Sequence, residues 1–236
     1  MVGEKHNVAT TLNYWDDPGD GSKPTPIFIG EGRISNKRPH KAHEFVISDI
    51  SGEEDQYTLD QHGFQYLHHA SIEKTFADEE RIKVAYYEEC RQLLTTHVDQ
   101  SYDGAERRLR WEFPSREEAD ELVKRRYQII NIWRPIEPIF KDPIAVAAAP
   151  SVPDADLAGA EMTEDGFVGE SWVVRHNPEH KWFYKHRMTP RDVLLIKCFD
   201  SDEGVARRAL HSAFEDPAYA TRECRQSIEV RALVCY

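Results

Sequence analysis

Apolar residues recur at helical spacing in residues 78–94, DEERIKVAYYEECRQLL, where they stand three or four positions apart. That spacing puts them on one face of an α-helix. The positions are Ile82, Tyr86, Cys90 and Leu93. A second helix is predicted near residues 115–126, because Ser115 is followed three positions later by Glu118, the pattern of a capping box.

Residues 127–135, YQIINIWRP, are rich in β-branched and aromatic residues and end at a proline, which predicts a strand. Short apolar segments separated by Pro, Gly, Asn or Asp follow, namely PIAVAAAPSV, ESWVVRH, KWFYKH, DVLLIKCF and SIEVRALVCY. Strands at this spacing predict a mainly β fold with flanking helices, either a sheet sandwich or a jelly roll. A doubly wound fold is disfavoured, because strands and helices do not alternate and no glycine-rich phosphate loop occurs. Three tryptophans of these segments are expected in the core, namely Trp133, Trp172 and Trp182.

The N-terminal part of the chain is rich in turn formers, as in DDPGDGSKP and EGRISNKRPHK. We therefore expect residues 1–44 to form an N-terminal wrap over the surface of the protein. The strands of a barrel would then come mostly from residues 95–236. A chain of 236 residues can bury a sizeable core, and we expect a single domain over residues 1–236.

Charge and cysteine usage narrow the class of protein. The formal net charge of -12 disfavours a nucleic-acid partner, because phosphate binding needs clustered cationic surface. No apolar run approaches the roughly 20 residues that span a bilayer, and no secretory signal opens the chain, so no membrane partner is expected. The cysteines lack a C-x-x-C pair, which is typical of free thiols in a reducing compartment and predicts a cytoplasmic location. They are Cys90, Cys198, Cys224 and Cys235.

The segment TTHVDQ, residues 95–100, contains a candidate metal-binding pair, His97 and Asp99. In an extended strand, side chains two positions apart emerge on the same face. A third ligand would have to come from a distant strand, and the best candidate is His211 in RRALHSAFEDP. Two imidazoles and one carboxylate leave open coordination positions, which suits non-haem Fe(II) and oxygen chemistry. An H-x-D pair alone is a weak signal, and its alternative is a solvated strand.

A candidate carboxylate receptor follows His211 by fourteen positions, where Arg225 and Ser227 form an R-x-S pattern ahead of the strand IEVRALVC. The two side chains would share one strand face by the same alternation. A guanidinium fork binds both oxygens of a carboxylate and stays charged at any working pH. An H-x-D, a distant histidine and an R-x-S are the order expected for an oxygenase that chelates 2-oxoglutarate on iron. The combination is much more specific than any of its members.

A rival metal pattern is HNPEH, residues 176–180, which matches the H-x-x-E-H of inverted zinc peptidases. That pattern needs a helix, and Pro178 inside it disfavours one. The remaining histidines show no ligand spacing and are expected on the surface or in the core. These are His6, His40, His43, His62, His68, His69 and His186.

Several segments together resemble the fungal gibberellin-desaturase and hydroxylase/desaturase-like family of secondary metabolism. They are ATTLNYWDDPGDGSKP, HVDQS, RRYQIINIWRPI, NPEHKWFYKHRMTPRDVLLIKCFDS and RQSIEVRALVCY, and the similarity runs from about residue 8 to the C-terminus. The resemblance implies a double-stranded β-helix, a jelly-roll barrel of the cupin type. It also implies oxidation of a small metabolite with Fe(II), 2-oxoglutarate and O2.

The resemblance also implies roles for particular residues. The metal ligands of the family fall on His97, Asp99 and His211, and the arginine that binds the co-substrate falls on Arg225 with Ser227. Arg231, six positions further on and of the same strand parity, is the alternative anchor. Asn131 lies on the strand expected to line the barrel and is a further candidate for binding the co-substrate.

These inferences converge on a non-haem iron, 2-oxoglutarate-dependent dioxygenase. We expect it to hydroxylate, desaturate or cyclise a small metabolite, with succinate and CO2 as co-products. Two alternatives stay open at this stage, a jelly-roll binding protein without redox activity and a zinc-dependent hydrolase. The sequence leaves the substrate and the oligomeric state open.

Overall fold

The computed structural model describes residues 4–30, 33–35, 37–94, 102–113, 115–164 and 166–236. Its strands are β1 (Val8–Trp15), β2 (Ile27–Gly30), β3 (Arg33–Ser35), β4 (His40–Asp49), β5 (Phe64–His68), β6 (Tyr127–Pro135), β7 (Ile144–Ala147), β8 (Leu157–Glu164), β9 (Phe167–Val174), β10 (Trp182–Tyr184), β11 (Asp192–Asp200), β12 (His211–Ala213) and β13 (Ser227–Cys235). Its α-helices are α1 (Leu59–His62), α2 (Glu79–Arg81), α3 (Tyr87–Leu94), α4 (Tyr102–Glu112) and α5 (Arg116–Leu122). A π-helical turn, Ile82–Tyr86, joins α2 to α3, and short 3-10 helices occupy Glu54–Gln56, Ala149–Ser151, Asp154–Asp156 and Pro217–Tyr219. None of the helices in these described ranges is long and apolar enough to cross a membrane.

The strands form three sheets. A five-stranded sheet has the order β1-β4-β10-β7-β12, and a four-stranded sheet has the order β13-β6-β11-β5. These two sheets face each other, because Val146 of one shares a core cluster with Trp133 and Leu194 of the other. A third sheet, β3-β2-β8-β9, covers the outer face of the five-stranded sheet, where Leu157 and Ala145 belong to one buried cluster. Two facing sheets, antiparallel except for the parallel pair β4 and β10, close over a common core and make up the predicted jelly-roll barrel.

Helices cover the outer face of the four-stranded sheet. Tyr86, Cys90 and Leu94, which come from the π-helical turn and α3, are buried in one apolar cluster. The same cluster contains Ile130 of β6 and Leu195 of β11. The predicted helix near residues 78–94 is therefore present with one apolar face inward, although it contains a π-helical turn.

The second predicted helix is also present, and Ser115 caps it by accepting a hydrogen bond from the Glu118 backbone N–H. The expectation that residues after 95 supply mainly strands is wrong for Tyr102–Glu112, which form α4. Leu109 of this helix is fully buried in a cluster with Tyr127 at the start of β6. The helix carries several charged side chains on its exposed surface, and these hid its narrow apolar face from the sequence pattern.

The predicted N-terminal wrap is wrong for β1. This strand pairs with β4 along its whole length, from Val8 opposite Ile47 to Trp15 opposite His40. Leu12 and Tyr14 are buried in the core between the five-stranded sheet and the third sheet. The turn formers follow the strand instead of replacing it.

Candidate active site

A cavity of about 390 Å³ lies beside the edge strand β12. Aromatic, apolar and polar side chains from β1, β9, β11 and β13 reach it, and a volume of this size suits a small organic ligand. Its wall includes Trp15, Glu170, Trp172, Cys198, His211 and Arg231. Of the three predicted core tryptophans, Trp133 and Trp182 are buried, whereas Trp172 is half-buried and lines the cavity.

His211 begins β12 and is exposed to this cavity. Its register partner on β7 is Val146, which faces the barrel interior. The imidazole Nδ1 donates to the Ala209 carbonyl at 3.3 Å, which leaves Nε2 with a free lone pair. Within the described part of the chain, Nε2 has no hydrogen-bond partner. Desolvation within the cavity lowers the pKa of His211, which favours the neutral imidazole, the form that binds a metal.

Arg231 lies on the inward face of β13 and lines the same cavity as His211. It stands opposite Asn131 on β6, and its Nε donates to the Asn131 side-chain oxygen at 3.0 Å. Asn131 is fully buried, and its amide nitrogen has no hydrogen-bond partner among the described residues. Asn131 therefore orients the Arg231 guanidinium from the neighbouring strand β6 and is not itself exposed to the cavity.

Arg225 lies two residues ahead of β13, which begins at Ser227, so Arg225 is not itself a strand residue. Its guanidinium donates to the Asp142 carbonyl and stands 5.7 Å from the centre of the Trp133 ring. It forms no ion pair with a described residue, and burial lowers its pKa. A half-buried guanidinium that forms no ion pair with a described carboxylate is a natural receptor for an anionic ligand.

Arg225 and His211 approach the same interior from different sides, His211 from β12 and Arg225 from the segment that precedes β13. Trp133, beneath the Arg225 guanidinium, belongs to the same core cluster as Val146, the register partner of His211. Arg225 does not line the cavity beside β12, whereas Arg231 does. The structure therefore brings His211 together with Arg231 and places Arg225 beside the Trp133 side of the core.

His97 and Asp99 lie outside the described residues. The range of described residues that precedes them ends at Leu94, the last residue of α3. Leu94 borders a groove along β13 together with Arg231. Arg231 also borders the cavity that contains His211.

The zinc-peptidase interpretation of HNPEH is wrong, because this segment is a turn between β9 and β10 and not a helix. His180 is buried, with Nδ1 bonded to the Tyr14 hydroxyl at 3.0 Å and Nε2 bonded to Asp156 at 3.0 Å. His176 instead stacks on His43, with ring centres 3.6 Å apart. Both histidines therefore have structural partners and do not share a metal.

One group of three potential metal ligands occurs within the described ranges, and sequence spacing did not reveal it. It consists of His6, His186 and Asp216, which come from distant parts of the chain. These residues lie just before β1, just after β10 and just after β12. The other ends of β1, β10 and β12 carry Trp15, Trp182 and His211, which line the cavity. The three potential ligands therefore lie at the opposite ends of these strands, apart from the cavity.

Comparison with known proteins gives concordant matches. A family model described as an oxidoreductase/YMDC permease-like domain matches residues 12–96 and 94–235. The hydroxylase/desaturase efuI of Hormonema carpetanum is 33% identical over 96% of this chain and 94% of the relative. The hydroxylase/desaturase asaB of Aspergillus flavus is 33% identical over 98% of this chain and 96% of its own length.

Two further matches concern cofactor use and fold. The alpha-ketoglutarate-dependent dioxygenase tstK of Talaromyces stipitatus is 29% identical over 95% of this chain and 96% of its own length. The solved structure of a variant of the iron and alpha-ketoglutarate-dependent endoperoxidase NvfI superposes with a TM-score of 0.84 at 20% identity. The superposition covers 100% of this chain and 99% of that chain, and it confirms the predicted fold.

Proposed function

This chain belongs to the hydroxylase/desaturase family of oxidoreductases, and we propose that it is an Fe(II)- and 2-oxoglutarate-dependent dioxygenase acting on a small metabolite. Family membership confirms the resemblance found in the sequence and makes the chain an enzyme. The observation that carries the proposal is His211, which lines a ligand-sized cavity and keeps the lone pair of Nε2 free. We further propose that residues 1–236 act as one oxygenase domain in the cytoplasm, where its four free cysteines would stay reduced.

We propose that His97, Asp99 and His211 hold Fe(II). The donor set of two imidazoles and one carboxylate fits this ion, and the hydrogen bond from Nδ1 to the Ala209 carbonyl sets the tautomer of His211. When bound, Fe(II) supplies oxygen activation coupled to the oxidative decarboxylation of 2-oxoglutarate to succinate and CO2. The protein supplies ligand orientation and a sheltered cavity for the substrate.

We propose that Arg225 binds the distal carboxylate of 2-oxoglutarate, with Ser227 as a hydroxyl donor beside it. Arg225 is supported by its missing ion-pair partner among the described residues and by its place at the barrel core that His211 also approaches. Arg231, held by Asn131 at the cavity wall, then faces the substrate. Hydroxylation, desaturation and cyclisation are all compatible with this arrangement.

The cavity wall favours a substrate with an apolar ring system and a hydrogen-bond donor. Trp15 and Trp172 supply flat apolar surface, and Glu170 supplies a half-buried carboxylate. The Glu170 side chain forms no hydrogen bond or ion pair with the described residues. A hydroxyl or amine group of the substrate would satisfy this carboxylate.

Anaerobic addition of Fe(II) and 2-oxoglutarate tests the proposed function. We expect a visible charge-transfer band, because only 2-oxoglutarate chelated on iron produces one. Exposure to O2 should then give succinate. A binding protein without redox activity would give neither signal, and a zinc hydrolase would work without O2 or 2-oxoglutarate.

Substitution of the two arginines tests the co-substrate assignment. We expect Arg225→Ala to raise KM for 2-oxoglutarate about ten- to a hundredfold, since a charged hydrogen bond contributes about 1.5–3 kcal/mol. Arg231→Ala is the matched control and should change KM for the substrate instead. Initial-rate measurements of succinate formation distinguish the two, and the reverse pattern would make Arg231 the anchor.

A further inference from the structure

His6, His186 and Asp216 place three donor atoms within 4.8 Å of one another. His6 Nε2 lies 2.9 Å from Asp216 Oδ2, and the centres of the two imidazole rings are 4.1 Å apart. The ligands of a tetrahedral zinc ion stand at similar separations, given metal–ligand distances of about 2.0–2.2 Å. Small side-chain movements are therefore enough to enclose an ion.

We propose that these three side chains form a second metal site that binds a divalent transition metal of the zinc class. Imidazole nitrogen and carboxylate oxygen are ligands that Zn²⁺ accepts, and a water molecule would complete a tetrahedral set. The inference is independent of the proposed dioxygenase activity, because none of the three residues lines the cavity beside β12.

The backbone around the site is already fixed. Asp49 accepts a hydrogen bond from the His6 backbone N–H at 3.1 Å and another from the His186 backbone N–H at 3.1 Å. One carboxylate thus sets the spacing of the two histidines. Asp216 uses Oδ1 to accept from the Ala218 backbone N–H at 3.0 Å, which leaves Oδ2 directed at His6. Pre-set ligands reduce the conformational entropy lost on metal binding.

The surroundings also suit a cation. Asp49 and Asp216 are both buried beside the site, and a bound divalent ion would offset their negative charge. Two cations lie nearby: Lys5 donates to the Ser51 carbonyl at 2.7 Å, and Arg187 donates to the Tyr219 hydroxyl at 3.0 Å. Tyr219 in turn lies 3.4 Å from His186 Nε2, a long contact that a metal bond can replace.

The position of the site indicates a structural role. It joins the segment preceding β1 to the turn after β10 and the turn after β12. A metal ion held there would tie the N-terminal strand to the rest of the five-stranded sheet. Such binding stabilises the folded state, since the unfolded chain does not bring these residues together.

Zinc titration of the untagged chain of residues 1–236 in an H211A background tests the site, because that background weakens the proposed iron site. We expect calorimetry of the chelator-treated protein to show one zinc ion bound per chain. Adding His186→Ala should weaken binding at least about tenfold, since even outer-shell changes cost 10–100-fold. His43→Ala, in a stacked histidine pair away from the site, is the matched control and should leave zinc affinity unchanged.

Two results would overturn the site: an H211A chain that binds no zinc, or H211A chains with His6→Ala or His186→Ala that bind zinc as tightly as H211A alone. Circular dichroism of the metal-free variants shows whether they fold. Thermal unfolding gives a second readout, because zinc should raise the Tm of H211A and of the His43→Ala control but not that of the His6→Ala or His186→Ala chains.

Discussion

Replacing His211 with alanine is expected to abolish 2-oxoglutarate turnover while the barrel stays folded. The imidazole is the proposed metal ligand that faces the cavity. Loss of a residue that only supports a metal ligand costs about 10–100-fold in activity, so loss of the ligand itself should lower succinate formation at least about a hundredfold. The fold should tolerate the change, because His211 is exposed on an edge strand and makes one long hydrogen bond of 3.3 Å. Succinate formation and the Tm measure the two effects separately.

The control for this prediction is His43→Ala, which removes an imidazole outside the cavity. It should keep both succinate formation and the charge-transfer band seen with Fe(II) and 2-oxoglutarate. If His211→Ala keeps them as well, His211 is not a ligand of the iron. If His211→Ala unfolds, His211→Gln provides the same test with a side chain of closer size.

Strands with a continuous apolar pattern were the most predictable part of the fold. The segment 127–135 forms β6 with those same bounds, and SIEVRALVCY contains β13. β6 is covered on one side by helices and on the other by the barrel core. β13 lies at the edge of the sheet and packs its apolar side chains Ile228, Val230, Ala232 and Val234 against the helix side. β1 was missed because only alternate residues face the core, and the turn formers that follow it dominate the local composition.

The site was harder to predict, because its residues lie far apart in the sequence and only the fold brings them together. The order of H-x-D, histidine and R-x-S pointed to His211 and Arg225 because a family pattern fixes that order. No local pattern predicts that Asn131 supports Arg231 across two strands, since this depends on strand register. The second group of ligands, namely His6, His186 and Asp216, likewise depends on which strand ends meet at one end of the five-stranded sheet.

Arg134 illustrates the same limit within a correctly predicted strand. It lies on β6 but faces the helices, and its side chain is fully buried. Its guanidinium donates to Glu89 of α3 at 3.0 Å and to the Pro190 carbonyl at 3.1 Å. Glu89 also accepts from the Ser71 hydroxyl and the Ile72 backbone N–H, each at 2.9 Å. The pair therefore fixes α3, the helix that leads into the segment containing His97.

Replacing Glu89 with alanine is expected to lower the free energy of unfolding by about 3–5 kcal/mol, because it leaves the buried Arg134 charge without its carboxylate. Urea unfolding followed by circular dichroism measures the change. The adjacent Glu88→Ala is the matched control, since Glu88 is exposed and pairs with Arg91 on the helix surface, where ion pairs contribute little. Glu89→Gln keeps hydrogen-bonding atoms and should lose less stability than Glu89→Ala. Equal stability of the Glu88→Ala and Glu89→Ala chains would show that the buried ion pair does not hold α3 on the sheet.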